Sequence, residues 1–164
     1  MIVIAYDGSD DAKAAIERAG ELMPGHPARI VTIWEPYIQM LTRYPASGAI
    51  LAGDDSGEID RATRTAAEDK AEEGARLARS AGLDATAYAI ARQDSIAETL
   101  LTEADRANAS AIVTGSRGLG GLGSLLLGSV SHALLQRADR PVIIVPSPKV
   151  AQKRNEKLRT FAEA

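Results

Sequence analysis

The hydrophobic residues of this chain follow two alternating patterns. Between helix-like segments lie short apolar runs, most of them rich in β-branched residues, at residues 2–6, 28–34, 84–91, 110–115 and 140–146. Such runs are typical of strands that are buried on both faces of a parallel sheet. The intervening segments repeat apolar residues every three to four positions, as one face of a helix does. The alternation therefore predicts an α/β fold, a five-stranded parallel sheet with helices on both faces.

Capping residues mark the helices between these strands. Four helices are predicted, over residues 10–22, 58–81, 94–109 and 129–138. Ser9 is a suitable cap for the first helix, and either Asp94 or Ser95 for the third, because their side-chain oxygens accept hydrogen bonds from free N–H groups. Ser129 is expected to cap the fourth helix in the same way.

Two segments fall outside the alternation. Residues 35–57 show no clear period and are predicted to form an irregular insertion. Residues 148–164 follow the last strand and carry five basic and two acidic side chains. This basic C-terminal tail is expected to be a solvated or frayed terminal helix, with a partner-binding extension as the alternative. One domain is thus expected over residues 1–147.

Composition narrows the class of protein. With 164 residues and a net charge of −3, the chain can bury a real core and does not carry the basic surface of a nucleic-acid-binding protein. It has no cysteine, which excludes disulfides and thiolate chemistry and favours a reducing compartment, so a cytoplasmic location is expected. No apolar run is long enough to span a membrane. Two isolated histidines are too few for a histidine-based metal site.

A glycine-rich stretch, GSRGLGGLGSLLLGSVS, follows the fourth predicted strand at residues 115–131. Six of its first fourteen residues are glycine. Inside a helix each glycine costs about 0.5–1 kcal/mol relative to alanine. The stretch is therefore predicted to be mostly loop. Such a loop is either a flexible connector or a place where the backbone approaches a ligand closely.

Three phosphate-binding motifs can be compared with this stretch. A Walker A loop does not fit, because no Gly-Lys-Ser/Thr follows the glycines. A G-x-G-x-x-G match begins at Gly118, but Pro146 ends the next strand where an acidic residue should stand. The third pattern, G-x2-G-x9-G-S, runs from Gly115 to Ser129.

The ends of two predicted strands carry candidate chemistry. Asp7 follows the first strand and Gly115 the fourth. Ligands of open α/β sheets bind beyond the carboxyl ends of the strands, so these residues face one crevice if the two strands are neighbours. The N-terminus of the helix at Ser129 suits a phosphate group, and Arg117 adds a planar cation.

The stretch TGSRGLGGLGSLLLGSVSHALLQRADRPVIIVP resembles the C-terminal half of the universal stress protein family, whose nucleotide-binding branch carries G-x2-G-x9-G-S/T. IVIAYDGSDDAKAAIERA resembles the family's opening, and IVTIWEP its second strand. The resemblance covers about residues 1–147. It implies a Rossmann-like sheet of the adenine nucleotide alpha hydrolase type, in the strand order 3-2-1-4-5, which makes strands one and four neighbours.

The resemblance also implies ATP with Mg²⁺ or Mn²⁺ as the ligand. It assigns Asp7 to the ribose and metal region, and Ile33 to adenine through its backbone. The residues implied at the ribose and phosphates are Gly115, Arg117, Gly118, Gly128, Ser129 and Ser131. Walls or backbone groups are implied from Ala5, Tyr6, Thr114 and Val130.

Three functions remain open from the sequence. The first is an ATP-binding regulatory protein of the stress response, a switch or interaction module. The second is a slow ATPase, and the third is an interaction protein with an empty crevice. For assembly, residues 142–145 form the last strand of the implied order, and four β-branched residues on an open edge predict a homodimer through Val142, Ile143, Ile144 and Val145. A further protein partner is left open.

Overall fold

A computed structural model describes residues 1–43, 56–119 and 127–162, with only the backbone described for residues 157–162. The strands are β1 (Ile2–Ala5), β2 (Pro27–Trp34), β3 (Asp84–Ala91), β4 (Ala111–Gly115) and β5 (Val142–Val145). The helices in the described ranges are α1 (Asp10–Leu22), α2 (Tyr37–Arg43), α3 (Ser56–Ser80), α4 (Ile96–Arg106), α5 (Ser129–Arg137) and α6 (Pro148–Ala162).

The strands form one parallel sheet in the order β3-β2-β1-β4-β5. Its centre is β1, where Ile4 pairs with Ile30 of β2 on one side and with Val113 of β4 on the other. The order confirms the predicted α/β fold and the adjacency of strands one and four. It also means that the chain winds outward from β1 in both directions, so the strand order reverses between β1 and β4.

Two apolar layers cover the sheet, one on each face. In β1, Ile2 and Ile4 point to the face packed by α1 and α3, whereas Val3 points to the face packed by α4 and α5. All three side chains are completely buried. Continuous apolar strands are therefore required, because alternate residues enter different cores.

Helix α3 packs closely on the sheet because its buried residues are small. They are Ala67, Ala71, Gly74, Ala75 and Ala78. A Cβ at Gly74 would lie 2.7 Å from Cδ1 of Tyr6 and 2.8 Å from Cγ2 of Ile30. Non-bonded carbon atoms do not approach one another so closely. The glycine therefore lets the helix backbone approach β1 and β2.

The segment predicted to be irregular begins with a helix. Helix α2 lies within the expected insertion at 35–57, and the backbone N–H of Tyr37 donates to the carboxylate of Asp60 on α3 at 2.6 Å. This tertiary bond stabilises a seven-residue helix whose sequence has no clear helical period. Residues 44–55 of the insertion lie outside the described residues.

The C-terminal segment continues the chain as helix α6. Val150, in its first turn, is buried, whereas Lys149 and Lys153 are exposed. The predicted terminal helix is therefore present. No helix among the described residues is long and apolar enough to cross a membrane.

The contact at Gly74 predicts an asymmetry between two glycines of α3. Gly74→Ala should lower the free energy of unfolding by about 1–3 kcal/mol, because the added methyl group overpacks the helix–sheet contact. Gly57→Ala is the control, since nothing lies within 4 Å of a Cβ there, and it should be neutral or stabilising by up to about 1 kcal/mol. Urea denaturation measures both. Equal effects would contradict the packing argument.

Candidate functional site

A cavity of about 680 Å³ opens beyond the carboxyl ends of β1, β2 and β4. It lies where the strand order reverses, the usual ligand position in open α/β sheets. All twelve residues predicted for the site line it: Ala5, Tyr6, Asp7, Ile33, Thr114, Gly115, Arg117, Gly118, Gly128, Ser129, Val130 and Ser131. The tertiary structure thus brings together residues that are up to 126 positions apart in the chain.

One half of the cavity is apolar. Ala5, Ile33, Leu100 and Val130 belong to the core layer between the sheet and helices α4 and α5. Ile96, at the start of α4, adds a side chain that is 37% exposed. This half can hold a flat, uncharged group.

The backbone of β2 extends beyond the end of β1. The N–H of Tyr6 donates to the carbonyl of Val31 at 2.9 Å, and β1 ends there, whereas β2 continues to Trp34. Alternate residues of a parallel strand direct their backbone groups to the same neighbour. The N–H and C=O of Ile33 therefore face the crevice side, where β1 provides no further partner.

Asp7 connects the end of β1 to the glycine loop. One carboxylate oxygen accepts from the N–H of Ser9 at 3.0 Å, and the other from the N–H of Leu119 at 3.2 Å. A Cβ at Gly118 would lie 2.6 Å from Oδ2 of Asp7. Gly118 is therefore needed for the carboxylate to sit against the loop, and Asp7 is more than a local turn residue.

The start of the glycine loop is packed against α1. A Cβ at Gly115 would lie 2.7 Å from the carbonyl carbon of Asp11, so only glycine fits. The hydroxyl of Ser116 donates to Oδ2 of Asp11 at 2.7 Å, and both residues are buried. These contacts fix the floor of the cavity.

The N-terminus of α5 forms the opposite wall. The expected cap at Ser129 is wrong: Gly128 is the N-cap, with no side-chain cap bond, and Ser129 is the first helical residue. The N–H of Gly128 is bonded to the carbonyl of Ser116 at 2.8 Å. Because the first intrahelical bond runs from His132 to Gly128, the N–H groups of residues 129–131 are the ones left for a ligand.

Two other predicted residues have their hydroxyl groups engaged. The hydroxyl of Ser131 donates to the carbonyl of Gly115 at 2.8 Å, which ties α5 to the end of β4. The phenol of Tyr6 donates to Glu73 at 2.8 Å. Burial, and then this bond to Glu73, raise the pKa of Tyr6 well above its usual value, so the phenol stays protonated. The hydroxyl groups of Ser131 and Tyr6 thus donate their hydrogens to acceptors within the protein.

Among the described residues, two cations line the polar half of the cavity. The Nε of Arg117 is buried, and within the described chain it has no hydrogen-bond partner and its guanidinium makes no ion pair. A buried donor without a partner is costly, which indicates a place for an acceptor. Lys70, from α3, also lines the cavity and was not predicted. The neighbouring residues in the sequence do not indicate that Lys70 lines a cavity, because it is one of many charged residues in α3.

The remaining unpredicted lining residues are mostly apolar. They are Ala12, Val31, Thr32, Ile96, Leu100, Leu119 and Leu127. Leu100 lies on the apolar face of α4, so helical periodicity could have placed it in the core, but not at the cavity. In the described part of the chain no three His, Cys, Asp or Glu side chains group into a metal site.

The chain as a whole is similar to known proteins. The chain matches the universal stress protein family over residues 1–146. It is 34% identical over 152 residues to a universal stress protein of Thermus aquaticus, and the alignment covers 88% of this chain and 96% of the relative.

Two solved structures are similar as well. A universal stress protein in complex with cAMP is 25% identical, with a TM-score of 0.61 over 89% of this chain and 96% of the other. The universal stress protein from Archaeoglobus fulgidus in complex with dAMP is 22% identical and shares the fold, with a TM-score of 0.59 over 88% of this chain and 95% of the other.

Proposed function

This chain belongs to the universal stress protein family, and we propose that it binds an adenine nucleotide, ATP, in the crevice between β1 and β4. The observation that carries the proposal is the Nε of Arg117, which has no hydrogen-bond partner among the described residues and is buried in the wall of a cavity that also holds a helix N-terminus. An anionic ligand supplies the acceptor that this donor lacks. Helix N-termini and guanidinium groups both favour phosphate oxygens.

The division of the cavity supports a nucleotide over a simple anion. At about 680 Å³ it is in the range of small-molecule sites. The apolar half, with Ile33 and Leu100, suits an adenine ring, and the crevice-facing backbone of Ile33 offers one donor and one acceptor to its edge. The polar half, with Gly118 and residues 128–131, suits the ribose and phosphates. The cAMP and dAMP complexes of similar proteins agree with this ligand class.

In this proposal the protein acts as a nucleotide-dependent switch or interaction module of the stress response, located in the cytoplasm. Hydrolysis would require a group that orients a water molecule against the terminal phosphate. Asp7 is the one carboxylate among the described lining residues, and in this proposal it is assigned to the metal rather than to a water molecule. Binding rather than rapid turnover is therefore the function that the site supports best.

A divalent cation fits this site only together with the nucleotide. Asp7 supplies carboxylate oxygens at the polar end, but the described residues hold no protein cage for a metal. Mg²⁺ binds in this way at many nucleotide sites, with one or two carboxylates, water and phosphate oxygens as ligands. Mg²⁺ or Mn²⁺ would neutralise phosphate charge beside Asp7.

Arg117→Gln should weaken ATP binding about 10–100-fold, the loss expected for a hydrogen bond to a charged group. Arg137→Gln is the matched control, because Arg137 lies at the other end of α5 and pairs with Glu98. Isothermal titration calorimetry measures both affinities. Unchanged affinity in Arg117→Gln would contradict the assignment of Arg117 to the ligand.

Nucleotide released from denatured wild-type protein identifies the native ligand. Bound ATP supports binding without turnover, ADP favours slow hydrolysis, and no nucleotide favours an empty crevice.

Chelation of divalent cations should weaken ATP binding and leave adenosine binding unchanged, because only the phosphates require the added charge. Calorimetric titrations with Mg²⁺, with Mn²⁺ and with excess EDTA make the comparison. The metal assignment fails if the ATP affinity is the same in all three.

We also propose a homodimer through the outer edge of β5. The N–H groups of Ile112 in β4 and of Ser116, which follows β4, donate to the carbonyls of Pro141 and Val145. The backbone groups of Pro141, Ile143 and Val145 therefore face β4. The backbone groups of Val142 and Ile144 consequently face outward. The other edge of the sheet is partly covered, because Arg79 donates to the outward carbonyl of Ala85 on β3 at 2.9 Å.

Ile144→Pro should convert the dimer to monomers, because proline removes an outward donor and leaves the bonds to β4 intact. Ile143→Pro is the contrasting variant. It should unfold the sheet edge, because the backbone N–H of Ile143 faces β4 and proline removes it. Light scattering over a concentration series and thermal melting separate the two effects. A wild-type protein that is monomeric at tens of micromolar would overturn the proposed dimer.

A further inference from the structure

We propose that Lys70 makes the site prefer nucleotides with a chain of phosphates over nucleoside monophosphates. This inference rests on the proposed nucleotide binding and adds a residue that selects the ligand by its charge. Lys70 projects from the middle of α3, and its side chain lines the same cavity as Arg117 and the N-terminus of α5.

Lys70 is placed at the phosphate end by contacts with the loop after β1. Its Cδ and Cε atoms both lie 3.8 Å from the position that a Cβ on Gly8 would occupy. Gly8 has a φ of +85°, a conformation that favours glycine, and follows Asp7 directly. Asp7 in turn contacts Gly118. The stem of Lys70 therefore runs beside the residues at which the polar half of the cavity begins.

The amino group of Lys70 is available to a ligand. In the described chain it makes no hydrogen bond and no ion pair, although Glu73 lies one turn further along α3. Glu73 is engaged elsewhere, because it accepts from the phenol of Tyr6 at 2.8 Å and lies 3.7 Å from the amino group of Lys13. Lys70 is also partly buried, so it is less hydrated than a surface lysine.

The location of this charge determines which ligand benefits. The N-terminus of α5 can hold the phosphate next to the ribose, so a monophosphate is satisfied without Lys70. A longer chain brings further negative charge into a region where the Asp7 carboxylate already stands. Lys70 and Arg117 are the cations that line this region in the described chain. Lys70 would offset the repulsion between the added phosphates and Asp7.

The test compares the ratio of ATP to AMP affinity in four proteins. They are the wild type, Lys70→Gln, Lys70→Arg and Lys13→Gln, each titrated by calorimetry in excess EDTA so that no metal replaces the lysine. Lys13→Gln is the matched control, because Lys13 pairs with Glu73 on the same surface but does not line the cavity. Thermal melting checks that each variant is folded.

We expect wild-type protein to bind ATP more tightly than AMP. Lys70→Gln should lower the ATP affinity roughly 10-fold, as for the loss of a charged hydrogen bond, while its AMP affinity stays within about twofold. Lys70→Arg and Lys13→Gln should keep the wild-type ratio. An unchanged ratio in Lys70→Gln, or an equal loss for both nucleotides, overturns the role of Lys70 and leaves nucleotide binding standing. A wild-type protein that binds neither nucleotide overturns the proposed function itself, and this inference with it.

Discussion

The close contact between the end of β4 and the first turn of α1 is the constraint on which the crevice depends. Gly115 has no room for a side chain against Asp11, and the buried carboxylate of Asp11 is held by the hydroxyl of Ser116. A buried carboxylate left without a partner costs more than an ordinary lost hydrogen bond. The contact therefore joins the segment after β1 to the segment after β4. The position of Asp7 against Gly118 follows from this junction.

The two faces of the sheet give the cavity two kinds of wall. The layer under α4 and α5 extends to the ends of the strands and supplies apolar side chains such as Leu100. The other side is built from polar loops and from α3. Because α3 packs through small residues, including Gly74, it lies near enough to the sheet for Lys70 to reach the cavity. The same packing that forms the core thus supplies a charge to the site.

The sheet edges differ in a way that bears on assembly. A side chain of the same chain occupies part of the outer edge of β3, through Arg79 and Ala85. The outer edge of β5 has prolines on either side of the run but none within it, so Val142 and Ile144 keep outward N–H groups. An edge of β-branched residues with free donors is a template for another strand. In the proposed dimer, a two-fold arrangement would satisfy both copies with one surface.

The sequence by itself determined the alternation of the five strands with the four helices between them, and the residues of the glycine loop and its flanks, because apolar periodicity and local capping are properties of neighbouring residues. Its family resemblance supplied the strand order, which the sheet confirms. Only the tertiary structure decided where backbone freedom was needed and which polar groups were already engaged. The helix at Tyr37 depends on Asp60 of another helix, and the cap at Gly128 depends on Ser116. Lys70 reaches the site through packing across the sheet. Long-range contacts such as these leave no periodic signal, because they arise only when distant segments are packed together.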